Sequence, residues 1–241
     1  RYSLGANIQL RKNNRRSPHN HFLKYRQVYV HKALNPELGP SFEEYRVHVL
    51  RYQYENSHYL HPQWAEAGAQ YGPQQGFYKY HLSYTLGIRT PRKSLVRSRT
   101  FVGIMRGNTD PDFQYQLDGR NDYLFDHYFL GRSENSGLLS RQFFEDEGGF
   151  KLETPSQRGT AVLAQNLQLP VYKSFGLFAD VAYLQGAGTQ EFLFDYGVQW
   201  VPIRDFFELF VGINAAGNPS FRYVLNMDLE DMIHALTRGR L

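Results

Sequence analysis

FYKYHLSYTLGIR, residues 77–89, alternates along its whole length. Tyr78, Tyr80, Leu82, Tyr84, Leu86 and Ile88 fall on one side of an extended chain. Phe77, Lys79, His81, Ser83, Thr85, Gly87 and Arg89 fall on the other. Side chains of a strand point to opposite faces with period two, so one face is apolar and the other largely polar. A soluble antiparallel sheet reads the same way. The question that decides the fold is whether the apolar side meets a protein core or lipid.

Composition narrows the answer. The chain has 241 residues, enough for one large all-β domain or two small ones. It has no cysteine, which excludes a disulfide framework and a thiolate metal site. A net charge of +4 does not point to nucleic acid, and no nucleic-acid partner is expected. There are 18 Tyr and 18 Phe, yet a soluble core takes up Tyr reluctantly because each buried hydroxyl needs a partner. No apolar run approaches the ~20 residues of a spanning helix, which leaves barrels open. The sequence begins Arg-Tyr without Met or a signal segment, as expected of a mature product, an excised domain or part of a longer chain.

Alternating segments separated by turn-rich breaks predict strands near 2–11, 22–33, 42–54, 63–71, 76–89, 94–106, 113–130, 139–152, 159–171, 174–185, 190–201, 205–214 and 221–228. Residues 11–21 and 55–76 are polar and rich in Pro, Gly and Asn, and read as loops. In EFLFDYGVQW, Phe192, Phe194, Tyr196, Val198 and Trp200 share one face against Leu193, Asp195, Gly197 and Gln199. GLFADVAYL, FFELFVGIN and FRYVLNM repeat the pattern, with an acid, amide or base at mid-length on the inner face. Tyr78, Tyr183 and Trp200 sit near strand ends, where aromatic girdles lie in membrane barrels. Lipid is therefore the better answer for residues 77–89. Residues 42–54 change faces part-way, from Tyr45, Val47 and Val49 to Leu50, Tyr52 and Tyr54, which suggests a bulge or a strand leaving the membrane. At roughly 20 residues per strand with its loop, the expectation is an all-β, closed antiparallel transmembrane β-barrel over 1–228, with about 12 strands and 14 as the alternative. Residues 229–241 form a tail in which Leu229, Met232, Ile233 and Leu236, after Asp228, have the spacing of a short helix.

Chemistry is sparse. His19 with His21, and His58 with His61, lack further ligands of zinc-site type and read as solvated loop histidines, so no metal or other cofactor is expected. No catalytic residues are assigned: there is no GxSxG elbow, phosphate loop or HExxH segment. Lys79, His81, Arg97 and Arg99 would line one interior with Asp180, Asp195 and Glu208. That set is either an anion-attracting lumen or, as a filled barrel favours, a network of paired charges.

YLFDHYFLGRSENSGLLSRQFFEDEGGFKLE, residues 123–153, reads as a strand from Tyr123 to Leu130, a turn, and a second strand reached through Gly148 and Gly149. The loop within it is expected to fold inward, carrying Arg132, Glu134 and Arg141, so that Arg132 or Arg141 meets Asp180, Asp195 or Glu208; Arg97 and Arg99 are the alternative partners. Together with AQNLQLPV, GLFADVAYL and FRYVLNM, this stretch resembles the barrel of the outer-membrane assembly and two-partner secretion superfamily. It is more similar still to the C-terminal outer-membrane barrel of gluzincin (aminopeptidase-like) metallopeptidases. The Arg-Gly-Phe or Arg-Gly-Tyr loop of the assembly superfamily is replaced here by Arg132-Ser133-Glu134 and Ser140-Arg141-Gln142. The resemblance implies a Gram-negative outer-membrane barrel that anchors or scaffolds a peptidase-like domain or partner proteins, without catalysis in this chain. Its implied partners are outer-membrane lipid and other outer-membrane or periplasmic proteins. The alternatives are a transport or insertion barrel and, more weakly, a rim hydrolase using Ser133, Ser136 or Ser140 near His127.

Overall fold

The computed structural model describes residues 1–10, 18–34, 41–91, 94–108, 110–119, 122–127, 129–131, 136–154, 158–186, 190–203 and 206–225. The fold is all-β. Six strands come first: β1 (Tyr2–Gln9), β2 (His19–Leu34), β3 (Ser41–Asn56), β4 (Gln63–Gly72), β5 (Phe77–Arg89) and β6 (Leu95–Gly107). After an intervening segment come β9 (Ala161–Tyr172), β10 (Phe175–Gln185), β11 (Gln190–Ile203), β12 (Phe207–Ile213) and β13 (Pro219–Leu225). These make one 11-stranded antiparallel sheet in which chain neighbours pair throughout, β6 pairing with β9 across the intervening segment. The only other sheet among the described residues joins β7 (Tyr115–Gln116) to β8 (Arg158–Gly159).

Eleven of the expected strands are thus present, and two are not. Residues 113–130 and 139–152 are not wall strands; they belong to the segment 108–160, which holds the short β7 and two 3-10 turns, Pro111–Phe113 and Leu139–Arg141. An even-numbered closed barrel was the expectation. In an 11-stranded meander β1 and β13 run in the same direction, and among the described residues no ladder joins them. The expected helix at 229–241 lies outside the described residues.

The stretch 77–89 pairs without interruption, from Tyr71↔Tyr78 on one side and from Phe77↔Gly107 to Arg89↔Leu95 on the other. Its Tyr78, Tyr80, Leu82, Tyr84 and Ile88 are exposed, Leu82 by 53%. The outward surface continues through Ile104, Leu163, Leu177, Val181, Phe194, Tyr196, Val198 and Val211. Tyr71 stacks on Tyr78 at 4.7 Å, and Phe175 on Trp200 at 6.3 Å, near strand ends on this same face.

The opposite face is also apolar over part of its height. Val28, Val30, Tyr45, Val47, Phe77 and Met105 of the wall pack against Phe113, Tyr115, Leu117, Tyr123, Leu124 and Phe150 of the 108–160 segment. Phe143 and Leu152 meet Phe178 and Phe210 in a second cluster. Each fully buried ring of this kind is worth about 1.5–3 kcal/mol relative to exposure. The 108–160 segment, called the plug below, therefore packs its apolar side chains against the inner face of the sheet.

The plug also explains the apparent change of face in residues 42–54. The register β2–β3 runs unbroken from His19↔Asn56 to Leu34↔Ser41, so there is no bulge. Tyr45, Val47 and Val49 point inward onto the plug, while Leu50 and Tyr52 point outward and are exposed. Above the plug the inner positions of the same strand become Arg51 and Gln53.

Candidate functional site

The interior of the sheet is occupied by the plug on one side and by a polar vestibule above it. Of the three acids in the plug stretch EDEGG, Glu145 and Glu147 point at wall cations and Asp146 at a histidine of the plug itself. Glu145 lies 3.1 Å from Arg97 and 2.9 Å from Lys151. Burial opposes charge on Glu145, but Arg97, Lys151 and Arg99 outweigh it and hold the carboxyl well below its ordinary range. Glu147 lies 2.7 Å from Lys79 and accepts from the Gln116 amide at 2.6 Å. Asp146 stands 3.7 Å from His127, whose ring stacks on Phe144 at 4.5 Å. Burial pulls the His127 imidazole down, but Asp146, Asp122 and Asp126 raise it further than that.

Gly148 and Gly149 bring the plug backbone against the wall. Asn166 Nδ2 donates to both carbonyls, at 3.0 and 3.2 Å, and to Asp180 at 3.0 Å. A Cβ on Gly149 would stand 2.4 Å from Arg99 Nη1, and its φ of +71° is one that L side chains rarely adopt. Immediately after the turn, the amide of Lys151 donates to Asp180 at 2.8 Å and that of Leu152 to Asp195 at 3.0 Å. Lys151 Nζ reaches Asp180 at 3.7 Å and the Gly149 carbonyl at 2.8 Å.

The residues singled out from the sequence are placed as follows. Lys79, His81, Arg97, Arg99, Asp180 and Asp195 all face the interior, where four of them meet the plug directly. His81 pairs instead with Glu66 of β4 at 2.9 Å, and Arg99 donates to Asn166 at 3.2 Å. Glu208 lies opposite Val224 on β12, two positions from the inward Phe210. Arg141 departs from expectation: it pairs with Glu153 at 2.7 Å and lies over the Phe221 ring at 5.6 Å, instead of reaching Asp180 or Asp195. Arg132 and Glu134 lie outside the described residues. The cation that serves Asp180 is Lys151, and neither Arg97 nor Arg99 takes that place. Sequence reasoning passed over Lys151 because it fell within the expected strand 139–152; the signal was the pair of mid-strand acids that needed a cation.

Two more latches were not foreseen. Asp126 collects Arg1 at 2.8 Å, Arg26 at 2.5 Å and Arg51 at 3.9 Å, tying the plug to β1, β2 and β3. At the opposite edge, the fully buried Arg222 of β13 donates to the Asp118 and Gln142 carbonyls at 2.7 and 3.1 Å. The Phe143 amide donates to the Tyr223 carbonyl at 3.0 Å, so the plug also occupies part of the β13 edge. The plug thus reaches both ends of the sheet, at Arg1 before β1 and at Arg222 and Tyr223 of β13.

The vestibule is a cavity of about 490 Å³, lined by wall residues of β3 to β6 and by Asp126, His127, Glu145 and Asp146 of the plug. It lies toward the end bearing the hairpins 57–62 and 90–94, away from the chain's entry into the plug. The histidine pairs lie elsewhere: His19 and His21 meet Tyr54 and Tyr52 hydroxyls at 2.8 and 2.7 Å, and His58 stacks on His61 at 6.4 Å. Among the described residues no group of three or more His, Cys, Asp or Glu is placed to hold a metal ion. Of the serines near His127, Ser140 donates to the Gly137 carbonyl at 2.8 Å, and Ser133 is outside the described residues. No protein-family model matches the sequence, and no curated protein is significantly similar to it.

Proposed function

We propose that this chain is a plugged β-barrel of the Gram-negative outer membrane, acting as a membrane anchor or scaffold for a peptidase-like domain or for other envelope proteins. One observation carries the reading: the same strands are apolar on both faces, and the plug accounts for only the inner one. A continuous outward belt of Tyr, Leu, Val and Phe remains, which is the surface a bilayer solvates. In hydrocarbon a sheet edge cannot remain unpaired, so the barrel closes in the membrane, with the plug bridging the seam. The same plug argues against a steady pore, because aromatic rings fill the interior from Val28 to Leu193.

The test is reconstitution of the purified protein into lipid vesicles and planar bilayers. Carbonate-resistant association, heat-modifiable migration and the absence of steady single-channel steps are expected. A protein that stays monomeric without detergent would overturn the membrane reading, and large steady steps would favour the transport alternative.

A further inference from the structure

The vestibule contains groups that its walls do not satisfy. Ser83, one of the residues lining this cavity, is 2% exposed, and its hydroxyl has no hydrogen-bond partner among the described residues. Arg51 Nε is buried without a hydrogen bond, and its two ion contacts are long, 3.7 Å to Glu66 and 3.9 Å to Asp126. Polar contacts longer than 3.5 Å are ones that a bridging hydroxyl, of water or of a ligand, can satisfy. Gly68 makes the room: a Cβ there would stand 2.1 Å from the His81 ring, which lies across the position while its Nε2 meets Glu66 at 2.9 Å.

The charge pattern limits what that something is. Arg51, Arg97 and Arg99 line the cavity beside Glu66, Asp126, Glu145 and Asp146. An anionic ligand would draw a guanidinium away from a carboxylate and leave that carboxylate unpaired in a confined site. A cation would do the reverse. A hydroxyl does neither, because it accepts from a guanidinium and donates to a carboxylate at once. Several hydroxyls on one rigid frame would enter the gaps around Arg51 and reach Ser83. Trp64 and Phe101 also line the cavity and offer apolar faces to the C–H side of such a frame. The cavity's 490 Å³ falls within the roughly 300–1,000 Å³ typical of small-molecule sites. We infer that the vestibule binds an uncharged, hydroxyl-rich ligand, a saccharide of one or two rings, with Ser83, Arg51 and Glu66 as its polar contacts.

The chain has two tryptophans, and Trp200 is on the outward face, so Trp200→Phe leaves Trp64 as a single reporter inside the cavity. The Trp200→Phe protein, in a sugar-free zwitterionic detergent, is titrated separately with neutral mono- and disaccharides, with glycylglycine and with inorganic phosphate. A saturable change in Trp64 emission with a saccharide is expected, weakened about tenfold by Ser83→Ala, as for one lost hydrogen bond. Heat-modifiable migration checks that Ser83→Ala has folded; if it has not, Thr85→Val, which removes a neighbouring hydroxyl from the same lining, takes its place. Saturation by phosphate or glycylglycine alone, no response to any probe, or a saccharide response indifferent to the variant would overturn the inference.

Discussion

Lys79 Nζ stands 2.7 Å from Glu147 Oε1, and the rings of Tyr115 and Tyr123 lie 4.2 and 4.8 Å from the same ammonium. Lys79 is 1% exposed and Glu147 12%, so neither charge has water to fall back on. Burial pushes the Glu147 carboxyl above its ordinary value despite the lysine. Removing one partner strands the other, which costs about 3–5 kcal/mol, whereas removing both charges together is often nearly neutral. Lys79→Met is therefore expected to lower the guanidinium midpoint of the detergent-solubilised protein strongly, and Lys79→Met with Glu147→Gln to regain most of the loss. Equal destabilisation by the single and double variants would contradict this account.

Gly103 is the second place where wall and plug are matched. The Tyr115 ring lies over it, and a Cβ there would come within 2.6 Å of the ring. The ring's hydroxyl donates to the Tyr80 carbonyl at 2.8 Å. Gly103→Val must lift the ring and the plug backbone with it, at a cost of about 1–3 kcal/mol for overpacking. Limited proteolysis should then cut within 108–160 faster than in the wild type, while Tyr115→Phe, which keeps the ring, changes the rate little. An unchanged digestion pattern in Gly103→Val would mean the plug is not seated against this strand.

The wall was legible because its strands, β1 apart, have one outward and one inward face in different surroundings. Asp180 and Asp195 could be picked out as inward mid-strand acids, and the ladder sets them directly opposite one another, which the alternation did not show. The plug was misread for the complementary reason. Phe113, Tyr115 and Leu117 alternate with Gln114, Gln116 and Asp118 as a strand would, yet all six are buried. Period two there reflects an apolar contact followed by a hydrogen bond within one enclosed segment, not a core side and a wet side. The same enclosure put Tyr45, Val47 and Val49 on the inner face, where composition alone suggested a bulge.

Acid should loosen the plug through Glu145. Its carboxyl, normally near 4.5, is lowered in the folded protein, where Arg97 and Lys151 overcome the burial that opposes charge. A lowered acid contributes its full stabilisation above the unfolded value and loses it as pH falls through the folded one. The thermal transition is therefore expected to fall as pH drops below about 4.5. Glu145→Gln should be less stable near neutrality and should flatten that part of the profile. A profile for Glu145→Gln parallel to the wild type below this pH would assign the acid sensitivity to other groups.

The most exposed part of the sheet rests on one plug carboxylate. Among the described residues β1 pairs only with β2, and every residue from Tyr2 to Gln9 is exposed. Apart from that ladder, the plug holds this corner through Asp126 and its neighbour: Arg1 donates to Asp126 at 2.8 Å and to the Phe125 carbonyl at 2.5 Å, and Arg26 grips the same carboxylate with two nitrogens, at 2.7 and 2.5 Å. The guanidinium groups are a little over a quarter exposed, so salt and water weaken each pair, and the loss on Asp126→Asn is put at about 1 kcal/mol, well short of a buried pair. Global stability is then a poor reporter, and local opening is a good one, because edge strands exchange through fluctuations much smaller than unfolding. Asp126→Asn is expected to speed hydrogen exchange of the β1 amides about fivefold, the rate equivalent of that energy. The β9–β11 amides, held by ladders on both sides, should be unaffected. Raising the salt on the wild type should move β1 in the same direction. If β1 exchange is insensitive to both, the β1–β2 ladder alone holds this edge, and the plug is not a latch for it.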